Sequence, residues 1–177
     1  MDELGPSSAI WLSDGWRVAH SFNSALLGWL VVVPRRHIES IHELSDDESV
    51  ELGRLLRRAS QALVDVVGCQ KTYVMMFAEA AGFNHVHFHV VPRAHDLDAE
   101  HRGSSIFEYL KRPETEWIGV AEQDELALAL RSADVEWLSF AQARGGSWSG
   151  ATNPATTTST TSRAKRSVSG RWVWSSR

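Results

Sequence analysis

Three histidines alternate with apolar residues at His85-Val86-His87-Phe88-His89. A β-strand sends successive side chains to opposite faces, so this spacing puts the three imidazoles on one face, about 7 Å apart, and turns Val86, Phe88 and Val90 toward a core. A row of imidazoles can bind metal, or it can do acid, base or nucleophile chemistry near neutral pH. For metal, His85 and His87, or His87 and His89, have the two-residue spacing that lets strand imidazoles share an ion, with His37, His95 or a carboxylate completing the set. For covalent chemistry, a neutral imidazole is a competent nucleophile toward phosphorus. It needs one ring nitrogen held by an acceptor, such as a backbone carbonyl, so that the other presents its lone pair. A second, protonated imidazole can neutralise phosphate charge or protonate a leaving oxygen. The spacing alone leaves both chemistries open.

The flanking elements must hold that row in place. Ile10–Leu12 and Trp16–Phe22 read as strands around the turn Ser13-Asp14-Gly15, because Asp-Gly favours tight hairpins. Trp29–Val33 is a buried apolar strand stopped by Pro34. Ser45-Asp46-Asp47-Glu48 is a capping box with acids in the first turn. Leu52, Leu55, Leu56, Ala59, Leu63, Val66 and Val67 follow at helical spacing, and Gly68 supplies a stop, which predicts a helix over 46–67. Thr72–Phe77 reads as a strand, Ala78–Asn84 as a loop around Gly82, and the histidine strand ends at Pro92. Ser104–Leu110 is expected to form a short helix. Glu122–Leu138 has helical spacing, with Leu126, Leu130 and Leu138 on a stripe. Strands, one long helix and further strands predict an α+β domain: an antiparallel sheet with the helix packed on one face and the histidines on a central strand. Trp16, Phe22 and Trp29 are expected in the core. His20, His42, His95 and His101 are expected at the surface or in turns.

Composition narrows the class. The chain has 177 residues, enough for one domain with a sizeable core, and a net charge of -4, which argues against a general nucleic-acid binder. Beyond Glu136 there is no acid, while Arg144, Arg163, Lys165, Arg166, Arg171 and Arg177 are basic, so an acidic body precedes a basic tail. Residues 1–143 form the expected domain. Residues 144–177 are rich in Ser and Thr and too poor in apolar groups to offset their ordering entropy, so disorder is expected there. The single Cys69 excludes an intrachain disulfide framework and fits a reducing cytoplasm. The acidic start Met1-Asp2-Glu3 lacks a signal-peptide pattern, and the apolar run Ala25–Pro34 is too short to span a bilayer, so a soluble protein without a membrane partner is expected.

The row His85-Val86-His87-Phe88-His89-Val90-Val91 resembles the signature of the histidine-triad (HIT) superfamily. The stretch Gly28-Trp29-Leu30-Val31-Val32-Val33-Pro34-Arg35-Arg36-His37-Ile38-Glu39 is similar to that family's apolar strand running into a Pro-basic-basic-His turn. The resemblance covers about Trp11 to Leu138. It implies a nucleotidyl hydrolase or transferase acting on the α-phosphate of a nucleoside 5′-phosphate derivative, such as a dinucleoside polyphosphate or a nucleoside phosphoramidate. His87 would be the nucleophile that forms a nucleotidyl-histidine. His89 would contact the phosphate and help the leaving group, His85 would orient His87 through its carbonyl, and His37 would pair with His85. It also implies a purine nucleotide partner, no required metal or other cofactor, and a possible homodimer. Asn23 lies near the position of a ribose-contacting residue, and Arg93 and Asn84 are further candidates for substrate contact. Gly82 stands where many members carry a hydroxyl residue, so only a backbone N–H would meet the phosphate there. A non-catalytic nucleotide-binding protein and a His-ligated metal protein are the alternatives.

Overall fold

A computed structural model of the chain describes residues 5–143. Five strands form one antiparallel sheet: β1 (Trp11–Leu12), β2 (Trp16–His20), β3 (Leu30–Pro34), β4 (Lys71–Met75) and β5 (Phe88–Arg93), in the spatial order β1-β2-β3-β5-β4. Helix α1 (Asp46–Val67) connects β3 to β4, a 3-10 helix spans Gly103–Leu110, and helix α2 is Val120–Ala143. This is the α+β architecture expected, with β5 between β3 and β4. Among the described residues no helix is long and apolar enough to cross a membrane. The proposed tail, residues 144–177, lies outside the described residues.

Local chemistry accounts for the element boundaries. Ser13 closes the β1–β2 turn: its Oγ accepts from the Trp16 N–H at 3.1 Å while its own N–H donates to the Trp16 carbonyl at 3.0 Å. At the start of α1, the Glu48 N–H donates to Ser45 Oγ and the Ser45 N–H donates to Glu48 Oε2, at 3.3 and 2.8 Å, which satisfies two otherwise orphaned donors. Gly68 ends the helix in the left-handed conformation at φ 73°, its N–H donating to the Val64 carbonyl.

Register decides what each sheet face carries. Thr72 donates its hydroxyl to Ser60 on α1 at 2.9 Å, so Thr72 faces that helix. Thr72 pairs with Pro92, and alternation then turns Phe88, Val90 and Pro92 toward α1. There they meet Leu52, Leu55, Ala59, Leu63 and Val67 from the helix's buried face. His89 and Val91 point to the opposite face, where Phe107 of the 3-10 helix packs on His89. Both faces of β5 are therefore covered, and Phe88 to Val91 are all buried.

The histidine strand is shorter at its start and longer at its end than its sequence suggests. The ladder begins at Phe88, so His85 and His87 precede it. Val86 is held instead by its N–H to the Ile38 carbonyl, at 2.8 Å. The strand also runs through Pro92 to Arg93. Proline is tolerated because β3 pairs with β5 only as far as Leu30 opposite Val90, leaving the missing N–H with no ladder partner on that side. Gly28 fills the corner beyond Leu30. Its φ is +85°, and a Cβ there would lie 3.1 Å from both Leu63 Cδ2 and Pro92 Cγ.

Two other expectations change. His20 is buried, not superficial, and fully paired. The Gly28 N–H donates to its Nε2 at 2.9 Å, so its Nδ1–H donates to the Ser21 carbonyl at 2.8 Å. Burial pushes His20 down to about 4, so it is a neutral structural group. Phe22, expected in the core, is 65% exposed on the β2–β3 connection.

Candidate active site

The histidine row is built where β5 begins beside the end of β3. His87 Nδ1 lies 2.8 Å from the His85 carbonyl oxygen. A carbonyl only accepts, so Nδ1 carries the proton and Nε2 presents its lone pair. The rings of His87 and His89 meet edge to face with centroids 4.7 Å apart. His85 and His37 form a second pair, Nδ1 to Nδ1 at 2.8 Å. Pro34 supplies the outer anchor, its carbonyl accepting from His85 Nε2 at 2.9 Å. The far nitrogen of His37 is 3.4 Å from Glu39 Oε1. With the His85 Nε2–H given to Pro34, the Nδ1–Nδ1 contact is satisfied by the His37 Nδ1–H donating to the lone pair on His85 Nδ1.

His89 sits deeper than its neighbours. Trp29, entirely buried, donates its indole N–H to His89 Nδ1 at 3.0 Å. Phe107 stands edge-on to both rings, 4.9 Å from His89 and 5.3 Å from Trp29. Phe77, half exposed, extends the aromatic chain at 5.4 Å from Phe107. Burial, and secondarily the neighbouring His87, push His89 down to about 4. His89 is therefore not the protonated imidazole of the free protein at neutral pH.

The basic residues near the row are committed elsewhere or distant. Arg36 holds Glu48 in a two-pronged ion pair, Nε to Oε1 at 2.9 Å and Nη2 to Oε2 at 2.8 Å, and also donates to the Glu43 carbonyl. That guanidinium, with the Ser45 N–H, holds Glu48 down at about 2. The His37 turn is thereby tied to the start of α1. Arg35 donates to the Ser13 carbonyl at 3.1 Å. Arg93 does not join the site. It ends β5 opposite Lys71, four residues past His89, about 13 Å along the strand.

The other candidates are placed as follows. Asn23 lies on the β2–β3 connection and accepts from Ser21 Oγ at 3.0 Å; among the described residues no hydrogen bond links it to the histidines. Gly82 and Asn84 are exposed on the loop that leads into the row, with Gly82 at φ +81° and open space where a Cβ would be. Ala78 opens the same loop at φ 53°, a strained value for a residue with a Cβ. Among the described residues, the one group of three or more potential metal ligands whose ligand atoms all come within 4.8 Å of one another is Asp98, Glu100 and His101, on the stretch after β5. It includes none of the histidines of the row.

Two contributors to the site carry no local sequence signal. Trp29 looked like a core residue, and its hydrogen bond to His89 becomes visible only once β3 and β5 are paired in register. Glu39 carries no spacing signal of its own; its position two residues after His37 matters only because the turn folds back.

A sheet of this topology, with paired histidines at the start of an inner strand, defines a class of α+β proteins that carry a row of imidazoles beside the sheet. The chain belongs to the HIT family: the HIT domain model matches residues 5–96. The fold is shared with solved structures at low identity. A histidine triad protein from Bradyrhizobium japonicum is 21% identical with a TM-score of 0.58, over 70% of this chain and 87% of that one. A histidine triad nucleotide-binding protein from Sulfolobus tokodaii is 18% identical with a TM-score of 0.56, over 75% and 85%. A zinc-bound histidine triad family protein from Mycobacterium smegmatis is 14% identical with a TM-score of 0.58, over 78% and 90%.

Proposed function

We propose that this protein is a nucleotidyl hydrolase or transferase that cleaves a nucleoside 5′-phosphate derivative at the α-phosphorus through His87. The observation that carries the reading is the 2.8 Å contact from His87 Nδ1 to the His85 carbonyl, which leaves the Nε2 lone pair available. That lone pair forms an N–P bond as the bond from phosphorus to the leaving oxygen or nitrogen breaks. Water then attacks phosphorus, and the proton it gives up passes through solvent to balance the one taken up by the departed leaving group. The N–P bond breaks, its electrons return to Nε2, and the nucleoside monophosphate departs. With Arg35 and Arg36 engaged and Arg93 distant, compensation of phosphate charge falls to imidazoles and backbone N–H groups. The His37–His85 pair stands beside the row as its hydrogen-bonded neighbour, and a purine nucleotide is the substrate class. A single buried Cys69 supports action in a reducing cytoplasm.

Incubation with a substrate labelled on the α-phosphate should trap an acid-labile protein adduct in wild type and none in His87→Ala. Equal nucleotide release by the two proteins would overturn the reading. Gly82 favours a second one. It offers no side chain to a phosphate, so a pocket that binds a nucleotide without turning it over predicts AMP binding by calorimetry with no release across a broad substrate panel.

A further inference from the structure

We propose that Trp29 is a positioning residue: it locks His89 in the Nε2–H tautomer, which makes the last histidine of the row a hydrogen-bond donor into the site and denies it the role of a base. The part of this proposal that concerns turnover rests on the hydrolase or transferase reading; the tautomer does not.

An indole N–H is a donor with no acceptor capacity. At 3.0 Å from His89 Nδ1 it requires a lone pair there, and a neutral ring then carries its proton on Nε2. The lock is rigid. Trp29 is fully buried, and its carbonyl accepts from the Ser21 N–H at 2.8 Å. Its ring is edge-on to His89 at 87° and to Phe107 at 79°, and Phe107 is edge-on to His89 at 89°. Rotating the imidazole by half a turn would put a carbon opposite the indole N–H and leave that buried donor unpaired, which costs about 1–3 kcal/mol. The preceding residue reinforces the placement, because the left-handed turn at Gly28 brings the chain against Leu63 and Pro92 just before Trp29.

Among the described residues, the side chains recorded against His89 other than His87 are not proton acceptors. β3 presents Trp29, the 3-10 helix presents Phe107, and β4 presents Met75 in register. Among the described residues the titratable neighbour is His87, whose own Nδ1–H is taken by the His85 carbonyl. Two adjacent rings thus end in opposite tautomers: His87 with a free Nε2 lone pair, His89 with an Nε2–H. That is the division needed for one ring to attack phosphorus while the next steadies a phosphate or leaving oxygen, with no proton exchange between them. Burial, which holds His89 near 4, keeps the assignment constant through the neutral range.

The test is nitrogen NMR of the full chain labelled with 15N-histidine, with the His89 signals assigned by their loss in His89→Gln. Wild type should show a pyridine-type Nδ1 and a pyrrole-type Nε2 for His89, unchanged from pH 8 to pH 5.5. Trp29→Phe keeps an aromatic ring while removing the N–H together with part of the indole; it should let the Nδ1–H form appear. In turnover assays it should lower kcat at least tenfold while KM moves less than about twofold, as for an interaction made in the transition state. A protonated Nδ1 on His89 in wild type overturns the proposal, and so does an unchanged tautomer in Trp29→Phe. A shifted tautomer with unchanged kcat overturns the donor role. The wild-type spectrum decides the tautomer even if Trp29→Phe does not fold. Absence of turnover in every protein, beside the expected spectrum, would refute the hydrolase reading and leave the lock standing.

Discussion

The two buried histidines make stability depend on pH in a window that can be predicted. His20 and His89 each drop from 6.5 to about 4 on folding, chiefly because burial excludes the charged form. Above 6.5 both are neutral folded and unfolded, so neither contributes a slope. Between 6.5 and 4 the unfolded chain binds protons that the folded one refuses, and stability falls as pH falls, by about 1.4 kcal/mol per pH unit for each ring. Over the whole window the loss is about 3 kcal/mol per histidine. Two such losses are comparable to the total stability of a typical domain, about 5–15 kcal/mol, so unfolding near pH 4 is expected. Carboxylates act lower: Glu48, held at about 2, loses its contribution only as pH falls below 4.5. Urea melts read by the fluorescence of the buried Trp16 and Trp29 from pH 8 to pH 4.5 measure the slope, provided the m-value stays constant. His20→Gln should be less stable at pH 8, because the Gly28 N–H and Ser21 carbonyl are less well matched. It should nevertheless lose stability more slowly on acidification, by about one proton's worth of slope. Parallel slopes for wild type and variant between pH 6.5 and 4.5 would refute the argument.

Three further outcomes follow from the geometry. Gly28→Ala should cost about 2–4 kcal/mol, from the left-handed backbone and a Cβ forced against Leu63 and Pro92; a melting temperature equal to wild type contradicts it. Ser45→Ala should cost about 1 kcal/mol through the lost cap of α1, read as a lower urea midpoint at constant m-value. Arg93→Ala should leave kcat/KM within about twofold of wild type, because the strand carries it away from His87; a loss of tenfold or more would place its guanidinium on the phosphate.

What was legible in the chain, and what was not, divides by the range of the interaction. Helix α1 was readable to the residue because its cap, its apolar stripe and its terminal glycine are all local. The contact from His87 to the His85 carbonyl was foreseeable for the same reason, since it spans two residues. The limits of β5 were not. Proline is a stop signal by itself, yet at Pro92 the signal is cancelled by where β3 happens to end, a fact held in the pairing of two strands about sixty residues apart. His20 was misjudged because histidine is polar by composition; only the Gly28 N–H and the Ser21 carbonyl together make its burial tolerable. For Arg93 the sequence leaves phosphate contact and a strand-end flank both open, and the structure sets it at the end of β5, because an extended strand separates neighbours faster than any other structure.

The row's alternation does not assign roles to its members for the same reason. Spacing puts three identical side chains on one face, and identical side chains on one face have no reason to differ. The differences enter through the second nitrogen of each ring. His85 gives its Nε2–H to the Pro34 carbonyl, His87 gives its Nδ1–H to the His85 carbonyl, and His89 takes the Trp29 N–H at Nδ1. Two carbonyls and one indole thus leave the row with different outward-facing nitrogens: a pairing site toward His37, a lone pair, and a donor. None of those three partners is a titratable group. A substitution that preserves every histidine but alters Trp29 or the backbone at Pro34 should therefore change the chemistry of the row while leaving its sequence signature intact.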